Sequence, residues 1–298
     1  MKALSFPLVR HMAAAALVGA ALAGCATAPA PESSQRELVV AITASHELIT
    51  FHAGQPDRIL ERRPVTGLPA GERLVGIDFR VARGVLYALS QAGRLYTLDI
   101  PTGALRPVGP APAVLGLRGT AFGFDFNPAA DRIRVVSNTG QNLRLHPDTG
   151  AAVDGDPAVE GVQPDPALRY AWSDTHAGRN PDIAGAAYTY NAQDSKITTN
   201  YAIDRALGVL VTQGTREGVS PMVSPNTGQL RTVGSLGLPR LTDVAFDISD
   251  VGNTALIAVR TSVDSHTRLH LVDLRTGATR PLGTVGEGAP LLGMAIEP

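Results

Sequence analysis

From residue 38 onward, apolar residues recur at a spacing of two. That is the period of a β-strand, and no stretch keeps the spacing of about 3.6 that an amphipathic helix requires. One short segment returns along the chain: Gly76-Ile77-Asp78-Phe79, Gly123-Phe124-Asp125-Phe126, Gly185-Ala186-Ala187-Tyr188, Asp243-Val244-Ala245-Phe246 and Gly293-Met294-Ala295-Ile296. Its starts are separated by 47, 62, 58 and 50 residues. A second pattern lies inside each unit. Leu95-Tyr96-Thr97-Leu98-Asp99 runs into Pro101-Thr102-Gly103, Leu143-Arg144-Leu145 into Pro147-Asp148-Thr149-Gly150, and Leu269-His270-Leu271 into Arg275-Thr276-Gly277. Alternating segments joined by such Gly-terminated turns read as antiparallel hairpins.

Each unit therefore holds about four strands, the content of one propeller blade. The ends of the chain set the count. Leu291–Pro298 repeats the opening strand of a unit and stops, whereas Leu38–Ile42, Glu47–Phe51 and Arg58–Val65 supply strands without that opening. Joined, they complete one blade and leave no open sheet edge. The expectation is an all-β chain: a β-propeller of five four-stranded blades over residues 38–298, closed by pairing of the C-terminal strand with the N-terminal blade.

The N-terminus changes the picture of where this domain works. Lys2 and Arg10 precede an uncharged run from Met12 to Ala23, too short to span a bilayer and of signal-peptide length. The run ends in Leu22-Ala23-Gly24-Cys25, which resembles a bacterial lipobox. The expectation is a lipoprotein signal peptide over 1–24, a lipid on Cys25, a flexible tether over 25–37, and a place on the cell envelope, with Ala26 favouring the outer membrane. Cys25 is the sole cysteine, so no internal disulfide staples the fold. Removing residues 1–24 takes away two bases and no acid, leaving 24 basic against 27 acidic residues and a charge of −3. Such a balance gives no field for nucleic acid.

With these segments in hand, the chain resembles the bacterial family catalogued as domain of unknown function 4394. The likeness rests on Leu74–Arg80, on Arg94–Asp99 and on the long block Phe122–Pro128, Asp131–Ser137 and Gly140–Gly150, extended by Gly185–Thr189 and Phe246–Ile248. It covers Leu38 to Pro298. The resemblance implies a propeller-like fold and says little about activity.

Candidate chemistry is sparse. Asp78, Asp125 and Asp243 fall on first strands and are expected near the propeller axis. They read either as a central cation site, with Ca²⁺ the fitting ion, or as caps for backbone N–H groups of the next blade. Capping is preferred, because two blades place Ala at that level. No other cofactor is implied. His266 and His270, four apart on an alternating segment, read as a loop and a surface histidine, and Arg132 and Arg134 as exposed strand charges. Residues 154–182 interrupt the repeat and carry Trp172, Asp174, His176, Arg179 and Asp182. That insertion reads as a ligand-binding lid or as a structural loop burying Trp172. No Gly-x-Ser-x-Gly elbow, His-Glu-x-x-His pair, P-loop or dinucleotide fingerprint is present. The sequence thus favours a non-enzymatic lipoprotein that contacts the membrane through its lipid and binds an envelope protein or a small ligand. The alternative is a metal-dependent hydrolase with its cation at the axis.

Overall fold

A computed structural model describes residues 1–3, 35–110, 112 and 115–298. Cys25, the lipobox and most of the leader and tether lie outside the described residues. No helix among the described residues is long and apolar enough to cross a membrane.

The strands follow the alternation. They run β1 (Leu38–Thr43), β2 (Glu47–His52), β3 (Ile59–Pro64), β4 (Leu74–Arg80), β5 (Val85–Ser90), β6 (Leu95–Asp99) and β7 (Ala104–Pro107). Next come β8 (Phe122–Asn127), β9 (Arg132–Ser137), β10 (Asn142–Leu145) and the short β11 (Arg169–Tyr170). The chain continues through β12 (Ile183–Tyr188), β13 (Asn200–Asp204), β14 (Val209–Gln213), β15 (Gln229–Ser235) and β16 (Leu241–Ile248). It ends with β17 (Ala255–Thr261), β18 (Arg268–Val272), β19 (Thr279–Thr284) and β20 (Leu291–Ile296).

These strands form five antiparallel blades in a propeller. Blade 1 has the order β20-β1-β2-β3, blade 2 β4-β5-β6-β7 and blade 5 β16-β17-β18-β19. Strand β20 pairs antiparallel with β1, Val39 facing Ile296 and Ala41 facing Met294. Two blades depart from the four-strand expectation. Blade 3 keeps only β8, β9 and β10, its would-be outer strand reduced to a single bridge between Leu145 and Ala152. Blade 4 gains β11, which lies parallel to β15 on its outer edge. The 154–182 insertion supplies that extra strand, so its first part crosses from blade 3 to blade 4.

The turns show why the repeated Gly endings matter. Gly103 and Gly277 sit at φ of 71° and 83°, where a side chain is strained. Their N–H groups donate to the carbonyls of Asp99 and Asp273 at 2.7 Å, closing the turn between third and fourth strands.

Packing is between blades. One apolar cluster joins Val40, Ile42 and Leu48 of blade 1 to Ile77, Phe79 and Leu86 of blade 2. Others join blades 2 and 3 through Tyr87, Leu89, Phe126 and Val135, and blades 4 and 5 through Ile203, Leu210, Phe246 and Ile257. First strands are covered on both faces, as the unbroken burial of β4 and β12 shows. Their backbones approach so closely near the axis that small residues are obligatory. A Cβ placed on Gly123 would lie 2.6 Å from Ala186 N and 2.8 Å from Gly185 C, both backbone atoms of the next blade. Gly123→Ala is therefore expected to lower stability by about 1–3 kcal/mol through overpacking, read as a drop in the urea midpoint with an unchanged slope.

Candidate functional site

Two buried polar constellations stand out from this apolar framework. The first lies near the axis. Asp78 on β4, Asp125 on β8 and Asp247 on β16 each bring a carboxylate oxygen within 4.8 Å of the others. Asp243, the residue expected third in this group, is elsewhere: its carboxylate meets Arg260 Nη1 at 3.0 Å at a half-exposed position. The fourth repeat is displaced by two residues. Ala245 occupies the level of Gly76 and Gly123, so Asp247 takes the level of Asp78 and Asp125. A shift of two preserves the alternation, and the glycine that marks the level in the other repeats is replaced.

Each carboxylate reaches across to the following blade. Asp78 Oδ2 accepts from Phe126 N at 2.7 Å, Asp125 Oδ1 from Tyr188 N at 2.9 Å, and Asp247 Oδ2 from Ile296 N at 2.6 Å. Blades 4 and 1 carry Ala187 and Ala295 at this level, and no such bond leaves them. Burial, together with the negative charges of the neighbouring aspartates, raises Asp78 and Asp125 well above the ordinary carboxylate range. Asp247 is raised by burial to about 7, against the pull of the N–H groups of Ile296 and Ile248. Asp125 and Asp247 also share a hydrogen bond that favours the proton on Asp125. Tyr190, half-buried near them, is pushed up by its partial burial and then by the three aspartates and Asp250. The void along the axis itself is only about 20 Å³, walled by the Gly76, Gly123, Gly185, Ala245 and Gly293 segments. That is room for about one water and not for an organic ligand.

The second constellation lies between blades 3 and 4. Arg134 on β9, expected as an exposed strand charge, is 2% exposed. Its Nε donates to Tyr188 Oη at 3.2 Å, Nη1 to Asn142 Oδ1 at 2.8 Å and Asp165 Oδ2 at 2.7 Å, and Nη2 to Asn226 Oδ1 at 2.6 Å. Arg144 grips the same Asp165 through Nε at 2.8 Å and Nη2 at 2.7 Å. Gln213 Nε2 extends the net to Asn142 Oδ1 and to Pro225 O. Burial opposes the charge on Arg134, but the Tyr188 hydroxyl and the Asp165 carboxylate outweigh it, and the guanidinium stays charged.

This network floors a cleft of about 450 Å³, within the range of small-molecule sites. Its walls come from the β8–β9 turn, from β9 and β10, and from two loops of blade 4, residues 189–199 and 214–228. The mouth is apolar. Ile197, Val219 and Met222 line it with exposures of 41%, 49% and 83%. Three of the nine large hydrophobic side chains exposed among the described residues thus gather at one opening.

The insertion residues expected at a ligand site do not reach this cleft. Trp172 is 92% exposed, so the loop does not bury it. Asp174 caps Thr232, accepting from its N–H at 2.7 Å and its hydroxyl at 2.9 Å. The His176 ring packs edge-on against Tyr170, Asp182 pairs with Arg205 at 3.0 Å, and Arg179 is exposed. The insertion contributes instead through Asp165, which the sequence pattern does not single out. His270 is buried at 8% exposure with its Nδ1 unpartnered, rather than on the surface, while His266 lies in an exposed turn beside Asp264.

The fold and this geometry define a five-bladed β-propeller with a ligand-sized cleft between two blades. The chain belongs to the family described as Domain of unknown function (DUF4394), whose model matches residues 47–295. No match was found among curated proteins. Among solved structures the chain is similar to "Dihydro-heme d1 dehydrogenase NirN in complex with DHE", at 14% identity and a TM-score of 0.37, covering 85% of this chain and 44% of that one. It is similar to "YCF48 bound to D1 peptide" at 9% identity and a TM-score of 0.37, covering 84% and 64%. A structural genomics protein of unknown function from Bacteroides thetaiotaomicron VPI-5482 matches at 13% identity and a TM-score of 0.41, covering 87% and 63%. The chain spans less than two thirds of the length of each of these structures.

Proposed function

We propose that the protein is a non-enzymatic binding propeller of the bacterial envelope, anchored by a lipid on Cys25, that holds a small ligand between blades 3 and 4. The observation carrying this reading is the cleft itself: a pre-formed cavity of about 450 Å³ with a buried, hydrogen-bonded arginine floor and an apolar mouth. An apolar lining with a few convergent polar groups is the usual make-up of a ligand site. The anchor rests on the Leu22–Cys25 segment, and a propeller held there presents its loops to the periplasm or the outside.

Ligand-observed NMR with a mixed set of anionic, neutral and cationic fragments tests the reading. Ala130 is an exposed residue on the cleft wall. Ala130→Trp is expected to abolish fragment binding at an unchanged melting temperature. If no fragment bound to the wild type is lost in the variant, the cleft is not a binding site.

A metal-dependent hydrolase is the second reading, and the crowding of Asp78, Asp125 and Asp247 is the observation that favours it. Against it stand the backbone N–H groups that already occupy all three carboxylates.

A further inference from the structure

Resting on the binding role just proposed, the charge layout of the cleft identifies a class of ligand. We infer that the cleft takes an anionic amphiphile: an apolar acyl or aryl body ending in a carboxylate or phosphate ester.

The first ground is a local excess of positive charge. Arg132, Arg134, Arg144, Lys196 and Arg216 line the cleft, with Glu217 the one carboxylate on its wall among the described residues. Asp165, buried behind, is shared by Arg134 and Arg144 and neutralises one of them. Five cations thus face two carboxylates in a chain whose net charge is −1.

The second ground is that neighbouring acids are engaged elsewhere. Asp131, next to Arg132, gives its carboxylate to Arg80, which donates through Nε at 2.8 Å; among the described residues Arg132 meets only the Asp131 carbonyl, at 2.8 Å. Glu217 turns back into its own blade and accepts from Thr189 Oγ1 at 2.7 Å and Asn191 Nδ2 at 2.9 Å. Arg216 lies over the Tyr201 ring at 5.9 Å and donates to the carbonyls of Leu274 and Arg275. Lys196 is exposed and has no side-chain partner among the described residues. Arg216 thus directs its guanidinium toward blade 5, which leaves Arg132 and Lys196 as the cleft cations without a carboxylate among the described residues. An anion entering the cleft would meet them across a partly dry wall, where charge-assisted bonds are about twice as strong as neutral ones.

The third ground is the mouth. Ile197, Val219 and Met222 offer hydrocarbon beside these cations. A small inorganic anion would leave that surface wet, and a neutral hydrocarbon would leave the cations unpaired. A molecule with both parts satisfies both. The adaptable Met222 side chain suits an apolar body of variable shape.

The test is isothermal titration of the protein with decanoate, decyl phosphate, decanol, decyltrimethylammonium and inorganic phosphate. Decanoate and decyl phosphate are expected to bind at least about tenfold more tightly than decanol, a gap of ~1.4 kcal/mol, and more tightly than inorganic phosphate. Lys196→Gln and Arg132→Gln are expected to weaken the two anions and leave decanol unchanged, and Ala130→Trp to abolish both. Decanol or decyltrimethylammonium binding as well as decanoate would overturn the ligand class while leaving the cleft a binding site. Binding of inorganic phosphate alone would overturn it equally. If neither these compounds nor the fragment set occupies the cleft, the binding role and the ligand class both fall. Sedimentation with phosphatidylglycerol vesicles separates the sources. Capture that Ala130→Trp abolishes assigns the anion to a bilayer lipid, and no capture alongside tight decanoate binding assigns it to a free acid.

Discussion

Replacing Arg134 by methionine lowers the unfolding free energy by about 3–5 kcal/mol, the range for breaking a buried ion pair from one side. Methionine keeps roughly the length of the side chain but supplies no donor. Tyr188 Oη, Asn142 Oδ1, Asp165 Oδ2 and Asn226 Oδ1 all lose a partner at once. Arg144 still serves Asp165 and Gln213 still serves Asn142, so the cost comes chiefly from Tyr188 Oη and Asn226 Oδ1 left dry, at about 1–3 kcal/mol each before relaxation and rehydration. The change should appear as a lower urea midpoint with an unchanged slope. Adding Asp165→Asn should deepen the loss, because Arg144 then loses the carboxylate that it grips through Nε and Nη2. Equal stability of Arg134→Met and wild type would show that the network does not join blades 3 and 4. Lys196→Gln, at the exposed rim, should leave the midpoint unmoved, which separates the structural floor of the cleft from its recognition edge.

The propeller is legible in the sequence because its governing features are local. Strand alternation, Gly-closed turns such as Asp99–Gly103, and a returning first strand all lie within short windows. The repeat places all five first strands, although the register of one is off by two. What fails is any feature that depends on which blade faces a given side chain. Arg132 and Arg134 alternate like surface charges, yet the face they share abuts blade 4. The informative signal is register. Arg134 sits opposite Asp125 across β8 and β9, and Asp125 faces the next blade, so its cross-strand neighbour faces it too. Asp247 escapes for a different reason: the alternation is blind to a shift of two, and Ala245 hides the glycine landmark. Asp165 lies in the insertion, where no period exists to place it. The cleft is invisible in the sequence because it is assembled from loops of two blades that are distant along the chain.

Asp125→Asn should make the protein more stable than wild type at about pH 8 and no more stable at about pH 5. Asp78, Asp125 and Asp247 are all raised above the usual carboxylate value near 3.9. Between that value and about 7, where Asp247 titrates, the folded protein holds protons that the unfolded chain has released. Stability contributed by the cluster is therefore full below about pH 4 and is lost as pH rises through this window, at about 1.4 kcal/mol per pH unit for each proton retained. Other groups act in the opposite sense. Asp264, held near 2 by the His266 N–H and by Arg268, and Asp148, held low by Arg80, lose their favourable contacts as the pH falls. His46 and His270, both lowered by burial, favour folding as pH rises toward the ordinary imidazole value. Comparing variant with wild type cancels these contributions. Asparagine at 125 reproduces the protonated acid: its Oδ1 can accept from Tyr188 N and its amide can donate to Asp247 as the shared proton does. It removes one negative charge from a buried group of three. The melting temperature of the variant should consequently decline less steeply between pH 5 and 8. The cation-site reading requires the reverse, since Asp125→Asn would remove a ligand. A wild-type melting temperature that rises in calcium, and a variant that loses both that rise and stability at high pH, would replace the protonated cluster with a metal centre. A melting temperature indifferent to calcium and to chelator, with the variant the more stable protein at high pH, leaves the aspartates as proton-bearing caps between blades.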